Sequence, residues 1–273
     1  MPLPGARQIT TALLAISQIV LGSTSSEQEP FEDVTWDDDN WVLSTHNLDQ
    51  GHYQSRLSLA NGYFGISVAA AGPLFEVDEQ RRGNGVSGWP LFNRRQAFST
   101  IAGFYNNQLQ TEGSNYPWLY QYGWDSMLSG IPHWSGLQVE ANGEVLNASV
   151  NSEHISDFVT SLDVKSGVAS WRYNWRPGGV AEDTVDVDYQ LFVHKLHVNQ
   201  ALTRLRLTAT RDINVTVYDV LDGDCAVRSE FVDKKFEENL PTIWTAVTPA
   251  NTCLLYTSPS PRDRTRSRMP SSA

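Results

Sequence analysis

The sequence predicts an all-β protein, a large antiparallel β-sandwich. Three observations predict it: apolar residues at every second position in several stretches, Asn-Gly and Asp-Gly dipeptides between them, and scarce helical periodicity. Val185, Val187, Tyr189, Leu191 and Val193 point one way, and Asp186, Asp188, Gln190 and Phe192 the other. Leu205, Leu207 and Ala209 alternate with Arg206 and Thr208. Ile213, Val215 and Val217 alternate with Asn214 and Thr216. Leu137 and Val139 lead into Asn142-Gly143, a hairpin-turn dipeptide because both residues tolerate positive φ. Asn61-Gly62 and Asp222-Gly223 punctuate the chain similarly. Only Phe231 to Leu240 suggests a helix, of two or three turns, with Phe231, Lys235 and Phe236 near one face. Strands without interleaved helices make a sandwich and not a βαβ fold.

Four segments follow from composition. Residues 1–22 read as a secretory signal: Arg7 precedes a mainly apolar stretch from Ile9 to Leu21, with Gly22, Ser23 and Ser25 near the expected cleavage site. No other stretch is long and apolar enough to span a bilayer. Residues 23–40 are an acidic leader ending in Asp37-Asp38-Asp39, without the glycine and closing glutamate of a calcium loop. Residues 41–251 form the globular domain. Residues 252–273 break the pattern, with Arg262, Arg264, Arg266 and Arg268 after a Ser-Pro repeat, and are expected to be disordered. The string from Cys253 to Asp263 resembles translated adapter read-through, so this tail is set apart as a sequencing artefact. On that reading Cys225 has no intrachain partner.

The net charge is −11 over 273 residues, and the body is more acidic still once the basic tail is removed. Such a surface disfavours nucleic acid and anionic membranes as partners. The nine tryptophans are many for this length. Core packing is their ordinary use, but Trp and Tyr also present an apolar face and a polar tip to ligands. Long loops from Trp89 to Trp134 hold Phe104, Tyr105, Tyr116, Trp118, Tyr120, Tyr122 and Trp124, more aromatics than connecting segments need. These loops are expected to fold over the sheet, meet another domain or meet a ligand.

Chemical motifs are few. Gly83-Asn84-Gly85-Val86-Ser87-Gly88 fits the letters of a dinucleotide loop, but Arg81-Arg82 precede it and Trp89-Pro90 follow it, where a strand and a helix are required. His194 and His197 sit at a strand end, where their rings are expected on opposite sides, and no further ligands complete a metal site. Glycoside hydrolysis needs two carboxylates flanking the scissile bond. Glu76, Asp78 and Glu79 follow an apolar run and read as surface or turn residues. Asp125, in Tyr122-Gly123-Trp124-Asp125, is the best local candidate for touching sugar, and Trp118, Trp124 and Asp125 are the candidate substrate contacts. Asn147-Ala148-Ser149 and Asn214-Val215-Thr216 are glycosylation acceptors, at Asn147 and Asn214.

Several motifs in fixed order carry a resemblance. Leu57-Ser58-Leu59-Ala60-Asn61-Gly62-Tyr63-Phe64-Gly65 comes first, then Ala102-Gly103-Phe104-Tyr105. Gly130-Ile131-Pro132-His133-Trp134-Ser135 and Asn142-Gly143-Glu144 follow, then Leu162-Asp163 to Trp175 and the stretch Leu191 to Gly223. From Trp41 to Asn251 the chain resembles the N-terminal region of glycoside hydrolase family 65, most closely its fungal-type acid trehalase branch.

The resemblance implies a supersandwich-like β-domain followed by a linker and an (α/α)6 barrel that is absent here. The family's catalytic glutamate lies in that barrel, so no catalytic residue is expected in this fragment, which is expected to be inactive alone. Intact relatives hydrolyse α,α-trehalose to glucose with inversion, without metal or cofactor. Expected partners are trehalose or a related disaccharide in the full-length enzyme, the missing barrel, and a second copy in a homodimer. The signal and sequons favour a secreted protein (extracellular, cell wall or vacuole) over the family's cytosolic phosphorylases. The alternatives are a stand-alone carbohydrate-binding or assembly module, and the N-terminal domain of a family 65 disaccharide phosphorylase.

Overall fold

The computed structural model describes residues 33–50, 57–77, 97–109, 124–237 and 242–250. Sixteen strands follow one another with only short 3-10 turns as helical structure among the described residues. They are β1 (Val34–Asp37), β2 (Val42–Thr45), β3 (Ser58–Ala60), β4 (Phe64–Ser67), β5 (Ser99–Ile101), β6 (Tyr105–Leu109), β7 (Trp124–Leu128) and β8 (His133–Ala141). β9 (Glu144–Leu146), β10 (Ile155–Asp163), β11 (Val168–Trp175) and β12 (Val185–Val193) come next. β13 (Ala201–Ala209), β14 (Thr216–Asp222), β15 (Ser229–Glu237) and β16 (Thr242–Pro249) complete the set.

A six-stranded sheet, β1-β2-β10-β11-β12-β13, is the backbone of the sandwich. Two three-stranded sheets, β3-β4-β5 and β14-β8-β9, pack on its inner face. Every strand pair is antiparallel. In β12 the predicted alternation holds along its whole length: Val185, Val187, Tyr189, Leu191 and Val193 are buried and the residues between them are not. β11 contributes Ala169, Trp171, Tyr173 and Trp175 to the same core. Opposite them lie Leu59 and Ile66 of one small sheet and Val139, Ala141 and Leu146 of the other. Each of the larger aliphatic side chains contributes about 1.5–3 kcal/mol on burial. Two tyrosines tie the layers: Tyr173 donates to the Ala71 carbonyl at 2.9 Å and Tyr189 to the Leu137 carbonyl at 2.6 Å.

Asn142 (φ 50°) and Gly143 (φ 76°) make the β8–β9 hairpin turn, both in the left-handed region as their types permit. Four expectations are corrected. Phe231 to Leu240 is not helical: residues up to Glu237 form β15, paired with β16. An extra residue at Val232 shifts the register between Phe231 and Asp233, and this bulge breaks the period of two that would have marked a strand. Ile213 and Val215 precede β14, which starts at Thr216, so Asn214 lies outside the strand. The Trp89–Trp134 stretch is not simply loop, since β5, β6, β7 and the start of β8 occupy its described parts. His194 and His197 do not face opposite sides: they lie in the β12–β13 connection with ring centres 4.8 Å apart. The chain turns back there, and the His194 ring nitrogen accepts from the backbone of Leu196 and His197. The glycine-rich stretch 83–88 and the tail lie outside the described residues.

Candidate functional site

Two of the predicted sugar contacts lie on one β-hairpin. Trp124 and Asp125 are the first two residues of β7, paired with Leu109 and Gln108 at the end of β6. The chain between those strands contains Trp118, which lies outside the described residues, as do Asp78 and Glu79. Asp125 and Trp124 are placed here by backbone register. At the other end of the hairpin, Tyr105 and Leu128 pair and are about half exposed. Glu76 lies in the interior, contrary to the surface role read from sequence, and its carbonyl accepts from Ala97. Burial of the run Val68 to Leu74 before it draws Glu76 inward.

The motifs that carry the resemblance build scaffold. Asn61 joins two turns: its Oδ1 accepts from Tyr63 and Phe64 (2.9 and 2.8 Å), while its Nδ2 donates to the carbonyls of His194 and Val198 (2.7 and 2.9 Å). Gly62 follows at φ 89°, a conformation costly for residues with a Cβ. Gly130 lies so close to the Cys225 carbonyl that an added Cβ would be 2.2 Å from it. His133, nearly fully buried, donates Nε2–H to the Ser67 carbonyl at 3.1 Å. Burial holds its pKa down at about 4, so the ring is neutral. Ser135 donates to the Pro73 carbonyl beside it.

Sequence reasoning missed a polar cluster at one end of the sandwich. Glu144, just after the Asn142-Gly143 turn, accepts from His154 Nδ1 at 2.9 Å and from the Gly178 amide at 2.6 Å. Asp183 accepts from Asn142 at 2.7 Å and from Arg211. The Arg211 hydrogen bond holds the Asp183 carboxyl below the usual carboxylate range. Asn142-Gly143-Glu144 was legible as a turn; the partners in the β11–β12 connection and beyond β13 were not. These carboxylates clamp the β8–β9 turn to the six-stranded sheet. For Asp183 this is the opposite of what a glycosidase acid needs, an environment that keeps its proton. Asp222 is raised, chiefly by burial, but its Oδ1 accepts from the Asp224 amide and caps the turn before Cys225.

Among the sequon residues, Asn214 is exposed and Asn147 half-buried, with its Oδ1 accepting from Ser149. Among the described residues no helix is long and apolar enough to cross a membrane, and no His, Cys, Asp and Glu group is arranged to hold a metal.

The sequence profile described as "Glycosyl hydrolase family 65, N-terminal domain" matches residues 43–263. The chain belongs to glycosyl hydrolase family 65. This family 65 domain is 47% identical over 228 residues to the acid trehalase of Emericella nidulans, covering 83% of this chain and 21% of the relative. It is 50% identical over 220 residues to the cell wall acid trehalase of Arthroderma benhamiae, covering 80% and 20%. The cell wall acid trehalase of Candida albicans is 28% identical over 216 residues, covering 74% and 20%. The chain therefore spans about a fifth of the length of these curated relatives. A solved structure titled a putative kojibiose phosphorylase from human microbiome shares the fold, with TM-score 0.54 and 13% identity over 79% of this chain and 26% of that one.

Proposed function

We propose that this family 65 domain is the non-catalytic sandwich of a secreted acid trehalase that hydrolyses α,α-trehalose to glucose with inversion. The observation that carries it is the 47% and 50% identity to proteins named acid trehalases, across about four-fifths of the chain. Inversion needs a protonated carboxyl and a second carboxylate about 6.5–9.5 Å apart, with a water between. Glu144 and Asp183 are engaged by His154, Gly178, Asn142 and Arg211 in holding the β8–β9 turn, so the reading assigns both catalytic groups to the part of the enzyme beyond this domain. The relatives' names, cell wall and periplasmic or secreted, support export, as does the apolar stretch from Ile9 to Leu21. Asn214, exposed between two strands, is the better glycan acceptor of the two sequons.

Trp118, Trp124 and Asp125 are assigned as its sugar contacts. The test is glucose release from trehalose by the purified chain and by the complete enzyme. Activity in the complete enzyme alone is expected. Turnover by the 273-residue chain would overturn the assignment of catalysis, and a phosphate requirement in the complete enzyme would make it a phosphorylase.

A further inference from the structure

The β15–β16 ribbon has one apolar face that is largely exposed. Phe231 pairs with Val247 and Phe236 with Ile243. In a regular strand Phe231 and Phe236, five positions apart, would face opposite ways. The extra residue at Val232 returns Phe236 to the face of Phe231. Phe231, Phe236, Ile243 and Val247 therefore share one side, with Lys234 and Thr245 between them. The other side carries Glu230, Asp233, Lys235 and Glu237. There Lys235 Nζ lies 3.7 Å from Asp233 Oδ2 and 5.0 Å from the centre of the Trp244 ring.

Exposure runs against this pattern: Phe231 is 52%, Phe236 63% and Ile243 40% exposed. Phe231 abuts Gly223, while Phe236 and Ile243 are exposed. A two-stranded ribbon is marginal in water by itself, and an apolar face marks an interaction surface.

We infer that this face is the seat for the remaining, catalytic part of the full-length family 65 chain. The inference rests on the function proposed above. The curated relatives are about five times longer than the stretch this chain matches, and the family profile describes an N-terminal domain. Four partly exposed side chains fall well short of the roughly 800 Å² per partner that a stable complex between separate chains buries. A covalently joined segment meets the face at about millimolar effective concentration and needs no such area. The occupant is thus a tethered part of the same chain and not a second copy.

The test compares hydrogen exchange over residues 229–249 in the 273-residue chain and in the enzyme expressed from the complete gene, with and without Phe236→Ser plus Ile243→Ser. Exchange is expected to slow at least tenfold in the complete enzyme. The double variant should abolish that slowing and lower the melting temperature of the complete enzyme, while leaving that of the 273-residue chain unchanged. Equal exchange in both chains would overturn the inference and leave the trehalase reading standing. A dimer of the 273-residue chain that the double variant dissolves would overturn it in favour of a second copy. A gene encoding no longer chain would defeat both.

Discussion

The hydroxyl of Tyr189 donates to the Leu137 carbonyl at 2.6 Å, joining the six-stranded sheet to β8 across the core. Tyr189 is fully buried, and burial pushes its hydroxyl well above the usual phenol range, so it is a donor at neutral pH. A side chain of this size inside a sandwich brings a polar tip that must find a partner. Here the tip finds the opposite layer, which fixes the spacing of the two sheets at that point.

Tyr189→Phe keeps the ring and removes the donor. Leaving a buried acceptor without its partner costs about 1–3 kcal/mol. The midpoint of urea unfolding is expected to fall accordingly with an unchanged slope, and an unchanged midpoint would show that the contact contributes nothing.

Gly130→Ala places a methyl group against the backbone of Cys225 and Val227, at 2.2 and 3.1 Å. Backbone cannot rotate away as a side-chain tip can. A loss of about 1–3 kcal/mol or more is expected from overpacking. Gly143→Ala meets nothing within 4 Å and is strained only by its φ of 76°, so its loss should be the smaller of the two in the same unfolding assay.

His133 carries the acid sensitivity of the core. Its pKa is about 4 in the folded chain against the usual 6.5, because burial penalises the charged ring. The unfolded chain therefore binds more protons between those values, and stability falls as pH drops from about 6.5 towards 4. The span corresponds to about 3 kcal/mol. His133→Gln, whose amide also donates to Ser67, should flatten this slope in stability-versus-pH measurements. The depressed carboxylates Asp37, Asp163 and Asp183 act lower, losing their contribution only as pH falls below the usual carboxylate range.

Cys225 is an inert thiol. It is fully buried, accepts from the Ser99 amide at 3.0 Å, and burial pushes it up to about 12. Only the thiolate reacts at an appreciable rate. In a Cys253→Ser chain, iodoacetamide at pH 8 is expected to leave Cys225 unmodified until the protein unfolds, as read by intact mass.

The sheet was legible wherever one face is buried and the other is wet. β12 obeyed the alternation from Val185 to Val193, and Asn142-Gly143 turned as its residue types require. β15 was unreadable because a single bulge at Val232 interrupts the period of two, so the stretch lacks the alternation that marks a strand. The histidine pair in the β12–β13 connection was misread for a related reason: strand geometry does not extend into a turn. The scaffold roles of Asn61, Gly130 and His133 depend on partners far along the chain, and no local pattern encodes them. Trp124 and Asp125 were placed together by adjacency, and the structure puts them at one end of a hairpin whose connection holds Trp118.

The pairing of β2 with β10 has a consequence for biosynthesis. Thr45 lies opposite Thr160, about 115 positions later in the chain. At about 5–20 residues per second a ribosome takes roughly ten seconds to deliver the second strand after the first. Until then β2 has only β1 beside it, with its other hydrogen-bonding edge open. An unpaired strand edge is a template for wrong partners. The nascent chain therefore passes through an interval of about ten seconds in which this edge is open to wrong pairing, before the sandwich can close.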